Sequence, residues 1–128
     1  MPIRHLGFIF VCSLLISCAL KSPLVIDRSS PEKAFETWKQ AILRMETTVL
    51  IDSYVVEARE GIRRELSETT RDGIEAMRLE TSRTKFEIEK IVYQQNKAFV
   101  RVRRDLAGDS EIELVTMIQE DGQWRLLP

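Results

Sequence analysis

The spacing of the apolar residues changes once along this chain, and that change limits what it can fold into. Between Ser30 and Thr84 the apolar side chains recur every three or four residues; after it they alternate. Helices first and strands afterwards is an α+β order. The clearest helical stretch is residues 30–45, SPEKAFETWKQAILRM. There Ala34, Phe35, Trp38, Ala41, Ile42 and Met45 fall on one side. Ser30 suits the N-cap and Pro31 the first helical position, where no N–H is needed. Burying Phe35, Trp38 and Ile42 is worth about 1.5–3 kcal/mol each before entropy.

A second, short helix follows from Thr47 or Thr48, with Val49, Leu50 and Tyr54 inward. Residues 57–68 are polar and helix-prone, and a further helical piece begins near Thr70 and Asp72 with Ile74 and Met77. Four strands come next. Turn signals stand at Gln95-Asn96, in a loop over residues 106–110, and at Asp121-Gly122, the strongest hairpin signal of the chain. In the first strand Phe86 and Ile88 alternate with glutamates, then the phase slips before Ile91 and Tyr93. A bulge near Glu89-Lys90 is therefore expected. Folding about Gln95-Asn96 sets Ile91 against Val100 and Tyr93 against Ala98. It also lines Glu89 up with Arg101 and Glu87 with Arg103, and Glu113 is expected to meet Arg103 from the other side. In the third strand Ile112, Leu114, Thr116 and Ile118 share one face and Val115 and Met117 the other. On this register Phe99, Val115, Met117, Trp124 and Leu126 lie away from the helix. They form a candidate interaction face and a route to a homodimer; a register error would return Trp124 to the core.

The N-terminus is of a different kind. Arg4 precedes an apolar run over residues 6–16, about half the roughly 20 residues that span a bilayer. A basic start, a short apolar core and a small residue at its end form a secretory signal. The run closes on Leu15-Ile16-Ser17-Cys18, which resembles the lipobox of bacterial lipoproteins. That resemblance implies a signal peptide over 1–17, acylation at Cys18, a tether over 18–29 and a folded domain over 30–128. It also implies a cell-envelope address anchored in the membrane. With Ala19 after the Cys rather than Asp, the outer membrane is expected if the cell has two. Cys12 and His5, the chain's one His, leave with the signal. A His base, a nucleophilic Cys and a disulfide are then all excluded from the domain. The net charge of −1 gives no footprint for nucleic acid.

Three stretches resemble the nuclear transport factor 2-like, or cystatin-like, superfamily, and in particular small bacterial lipoproteins within it. They are SPEKAFETWKQAI at 30–42, NKAFVRV at 96–102 and EDGQWRLL at 120–127. The resemblance implies N-terminal helices packed on a curved four-stranded antiparallel sheet, a cone around the first long helix. It implies no activity, because this fold carries enzymes, binders and scaffolds alike. Trp38, Tyr54 and Tyr93 are candidates for lining a ligand cavity in the cone, with plain core aromatics as the alternative. Asp52 and Tyr54 are the acid and phenol that an enzyme would use; the alternative is a solvated Asp and a core Tyr. No metal cluster or phosphate loop stands out, so no cofactor is expected. The leading expectation is a lipid-anchored, non-catalytic domain that binds a partner or itself. A small-ligand carrier comes second and an enzyme third.

Overall fold

A computed structural model describes residues 22–128. The signal segment and Cys18 lie outside the described residues. Four helices, α1 Pro31–Leu43, α2 Thr47–Asp52, α3 Arg59–Glu68 and α4 Arg71–Arg83, precede four strands, with a 3-10 turn at Val56–Ala58 between α2 and α3. The strands β1 Lys85–Gln94, β2 Lys97–Leu106, β3 Asp109–Glu120 and β4 Gln123–Leu127 form one antiparallel meander in chain order. The α+β cone expected from the sequence is the observed architecture.

Both long helices start on side-chain caps. Ser30 Oγ accepts the Lys33 N–H at 3.2 Å, and Thr70 Oγ1 accepts that of Gly73 at 3.1 Å. Ala34 and Phe35 of α1 are buried against Ala98, Val100, Val102, Met117, Trp124 and Leu126 of the sheet. The second half of α1 turns to the other helices. There Ala41, Ile42 and Leu50 form a separate cluster with Leu66 and Met77 packed on it. The helix thus joins two apolar layers, which is why its pattern is so pronounced in the sequence.

The β1–β2 register is the expected one. Ile91 faces Val100, Tyr93 faces Ala98, Glu87 faces Arg103, and the pairing shifts between Ile88 and Lys90. Glu89, in that bulge, reaches Arg101 at 3.6 Å and Arg103 at 3.0 Å. Glu113 differs from expectation: it lies opposite Val102 and pairs with Arg104 at 3.1 Å, not with Arg103.

The expected interaction face is overturned, and a turn explains why. The loop over 106–110 is a two-residue hairpin turn, with Ala107 at φ 52° and Gly108 at φ 85°. That turn sets Leu106 against Asp109, hence Val100 against Val115 and Ala98 against Met117. Because Ala98, Val100 and Val102 face the helix, Val115 and Met117 do too. Asp121 and Gly122, at φ 51° and 77°, make the next tight turn and bring Leu126 to Met117 and Trp124 to Gln119. Met117, Trp124 and Leu126 are therefore buried, Val115 packs against them, and Phe99 alone of the five stands on the outer face, half-buried. Exposed Val92, Ile112, Leu114 and Leu127 share that face.

Residues 24–28, before α1, pack on the domain. Thr37 Oγ1 donates to the Asp27 carbonyl at 2.8 Å and accepts the Asp27 N–H at 3.1 Å, while Trp124 N–H donates to the Arg28 carbonyl at 2.9 Å. Leu24 packs on the helical cluster, whereas Val25 and Ile26 are exposed.

Candidate functional site

The inward-facing positions of β3 run Met117, Val115, Glu113 and Glu111, so its apolar surface stops halfway along the strand. β4 pairs only with Thr116–Glu120. Where β4 ends, a cleft of about 410 Å³ opens along β3. Phe35, Trp38, Tyr54, Phe86, Val115 and Leu126 are among the side chains of its wall, with Glu113 at its rim.

The wall is aromatic and fixed. Phe35 and Trp38, one helical turn apart on α1, have ring centroids 5.3 Å apart. Phe86 from β1 meets Phe35 edge-on at 5.5 Å and Trp38 near-perpendicularly at 6.3 Å. The Trp38 indole N–H donates to Tyr54 Oη at 3.1 Å. Tyr54 is held by its own backbone. Residues 53–55 run beside β4, with Leu126 N–H bonded to the Ser53 carbonyl and Val55 N–H to the Leu126 carbonyl. Two arginines brace the same segment. Arg59 Nε donates to the Tyr54 carbonyl at 3.1 Å, and buried Arg28, 8% exposed, reaches the Val49 carbonyl at 3.3 Å and Ser53 Oγ at 3.5 Å.

Polar chemistry is sparse. Burial pushes the Tyr54 phenol above its ordinary pKa; the Trp38 bond lowers it, and the Glu65 and Glu113 carboxylates push it up further. Arg104 Nη1 donates to Glu113 Oε2 at 3.1 Å, and its guanidinium stands 5.5 Å from the Phe86 ring centre. Arg104 thus ties a rim carboxylate to an aromatic wall.

Of the expected cavity residues, Trp38 and Tyr54 line the cleft and Tyr93 does not. Tyr93 lies at the end of β1 next to the turn, where its ring meets Trp124 edge-on at 5.8 Å; the cleft takes Phe86, from the start of the same strand. Asp52, exposed at the end of α2, is outside the cleft wall, so the acid and phenol expected of an enzyme do not share it. Phe86 and Glu113 were not singled out from sequence as site residues. Phe86 had a signal, its shared phase with Ile88; Glu113 had none until the β2–β3 turn was known. Among the described residues no group of three or more His, Cys, Asp or Glu side chains is placed to hold a metal ion. No described helix is long and apolar enough to cross a membrane.

Comparison with known proteins agrees with this architecture. A SEC-C motif containing protein from Rhodopseudomonas palustris superposes with a TM-score of 0.55 at 13% identity, covering 80% of this chain and 78% of its own. A protein from Campylobacter jejuni described as "Putative NTF2-like transpeptidase" superposes with a TM-score of 0.53 at 12% identity, covering 77% of this chain and 99% of its own. At such identities the likeness is one of fold alone. No curated protein matches in sequence. The model of the family described as "Putative lumazine-binding" matches residues 57–128, more than half of the chain, so the protein belongs to that family and has the nuclear transport factor 2-like fold.

Proposed function

We propose that the protein binds one small, flat, largely apolar molecule in the cleft, without transforming it, and that lipidated Cys18 holds it at the cell envelope. The observation that carries the binding reading is the cleft itself. Its volume of about 410 Å³ is of the size that takes a small organic ligand. Its walls are aromatic faces and edges rather than charges. The family description names lumazine, a bicyclic heteroaromatic, and a ring system of that size suits such walls. Support for a non-catalytic role is chemical. Of the cleft's ionisable side chains, Glu113 is engaged by Arg104, and Tyr54 accepts from the Trp38 indole with its pKa raised by burial. Support for the anchor comes from the lipobox-like Leu15-Ile16-Ser17-Cys18 after an apolar run.

A second reading, self-association, keeps one specific observation. Val92, Phe99, Thr116 and Leu127 form a single cross-strand row on the outer face, with exposed Leu114 beside it. It is the sheet face away from α1, as expected from sequence, but of the five residues expected there only Phe99 lies on it. Native mass spectrometry of the full-length protein extracted from its own envelope reads both proposals. A lipid-modified mass with a retained small molecule is expected. An unmodified N-terminus removes the anchor, an empty protein that also fails to take up lumazine removes the carrier, and a strict monomer removes the dimer.

A further inference from the structure

Two polar groups of the cleft have hydrogen-bonding capacity that the fold leaves unused. Tyr54 Oη accepts from Trp38, and an indole N–H can only donate, so the phenol's own hydrogen must go elsewhere. No acceptor for it lies within hydrogen-bond distance among the described residues. A carboxylate has about four lone-pair sites on two oxygens. Glu113 Oε2 takes the Arg104 guanidinium at 3.1 Å, and Oε1 takes no donor among the described residues. The first group is therefore a positioned donor, the second a positioned acceptor, and both border the same cleft.

We propose that Tyr54 and Glu113 read a donor–acceptor edge of the bound molecule, so that the ligand is an uncharged planar heterocycle with a lactam or imide edge. Tyr54 O–H donates to its carbonyl or ring nitrogen, and Glu113 Oε1 accepts from the neighbouring N–H. This rests on the reading of the cleft as a ligand site and narrows it to a chemical class. A hydrocarbon or a fatty chain would leave the Tyr54 hydroxyl without an acceptor and strip water from half-exposed Glu113, with no hydrogen bond in return. No lysine or arginine is among the described residues that line the cleft, so an anion would enter it without a counter-charge. Pre-organisation favours the assignment. Trp38 fixes the phenol oxygen and Arg104 fixes the carboxylate, so neither side chain must be ordered when the ligand arrives.

The test is tryptophan-fluorescence and calorimetric titration of the full-length protein in detergent with three probes. These are lumazine, its analogue methylated at both nitrogens of the dione ring, and a bicyclic hydrocarbon of equal size. Lumazine is expected to bind tightest and the methylated analogue about tenfold or more weaker, for loss of one hydrogen bond and a buried acceptor left unpaired. Tyr54→Phe and Glu113→Leu are each expected to weaken lumazine about tenfold while raising the hydrocarbon's affinity, since each removes a polar group that the hydrocarbon cannot satisfy. Glu113 is half-exposed on the rim, so its variant keeps the proposal testable should Tyr54→Phe, which orphans the Trp38 N–H, lower stability. If lumazine binds but methylation and both variants are without effect, the edge assignment is overturned while the cleft stands. The same follows if the hydrocarbon binds tighter than lumazine. If none of the probes binds, the cleft reading itself falls.

Discussion

The face assignment of β3 can be tested on two residues three apart. Met117 is 0% exposed and Leu114 67% exposed, and alternation puts them on opposite faces of one strand. Met117 sits between Ala98 on β2 and Leu126 on β4, so backbone encloses its side chain on both flanks. Truncation of a buried Met to Ala costs about 2–5 kcal/mol, and the cost rises with how little the site can collapse. With paired strands on either side we place Met117→Ala at about 3–4 kcal/mol, within that range. At roughly 4 °C per kcal/mol for a domain of this size, the midpoint of thermal unfolding should fall by about 12–16 °C. Leu114→Ala removes a side chain already mostly in water and should stay within about 0.5 kcal/mol. Thermal and urea unfolding followed by far-UV circular dichroism measures both, with the urea slope unchanged if each variant unfolds in two states. Equal losses, or a larger loss at Leu114, would refute the register and with it the cleft built on that register.

Three further outcomes follow from the geometry. Thr37→Val keeps the volume of a side chain 2% exposed but strips the Asp27 N–H and carbonyl of their partners. It should cost about 1–3 kcal/mol and speed hydrogen exchange at the Asp27 amide while sparing β2. Gly61→Ala adds a Cβ with nothing within 4 Å in the first turn of α3 and should stabilise by up to about 1 kcal/mol; Gly73→Ala, whose Cβ would lie 2.9 Å from Thr69 Cγ2, should gain less in the same melts. Tyr54 has a raised pKa in the fold, so its contribution to stability is whole below its ordinary value of 10.0 and is lost as pH climbs through the folded value. In a Tyr93→Phe background the phenolate absorbance should therefore appear above pH 10 in the folded protein, and Tyr54→Phe should flatten the alkaline fall in stability.

Much of this fold is legible in the sequence because local signals agree with one another. The cap at Ser30, the apolar side of α1, the slip of phase at Glu89 and the Asp121-Gly122 turn each specify a local geometry that the rest of the chain accepts. The face of β3 is not legible in the same way. Alternation shows which side chains share a face but not which face is inside. For β3 the apolar count favours Ile112, Leu114, Thr116 and Ile118, the outer set. The Ala107-Gly108 turn decides otherwise, and an Ala at φ 52° gives no warning in sequence that the turn is so tight. The docking of Asp27 and Arg28 is hidden for another reason: it rests on the Thr37 hydroxyl, a backbone bond from Trp124 and the buried Arg28 guanidinium, none of which has a period.

The same strand explains why the cleft lies where it does. β3 has twelve residues and β4 five, so β4 can cover only the end of β3 that carries Met117. At the other end the inward positions are Glu113 and Glu111, residues that cannot close a core. Apolar residues in those two places would extend the contact of sheet with α1 and fill the gap. Instead Phe86, Phe35, Trp38 and Tyr54 arrive from three other elements and end against a carboxylate, which Arg104 neutralises without covering. A strand that outlasts its partner, turning acidic on its inner face while staying apolar on its outer face, therefore makes an opening rather than a larger core. The outward Ile112 and Leu114, which mislead a count of apolar residues, are part of the same strand segment as the carboxylate at the rim. The feature that hides the face of β3 from the sequence is thus the feature that leaves room for a ligand.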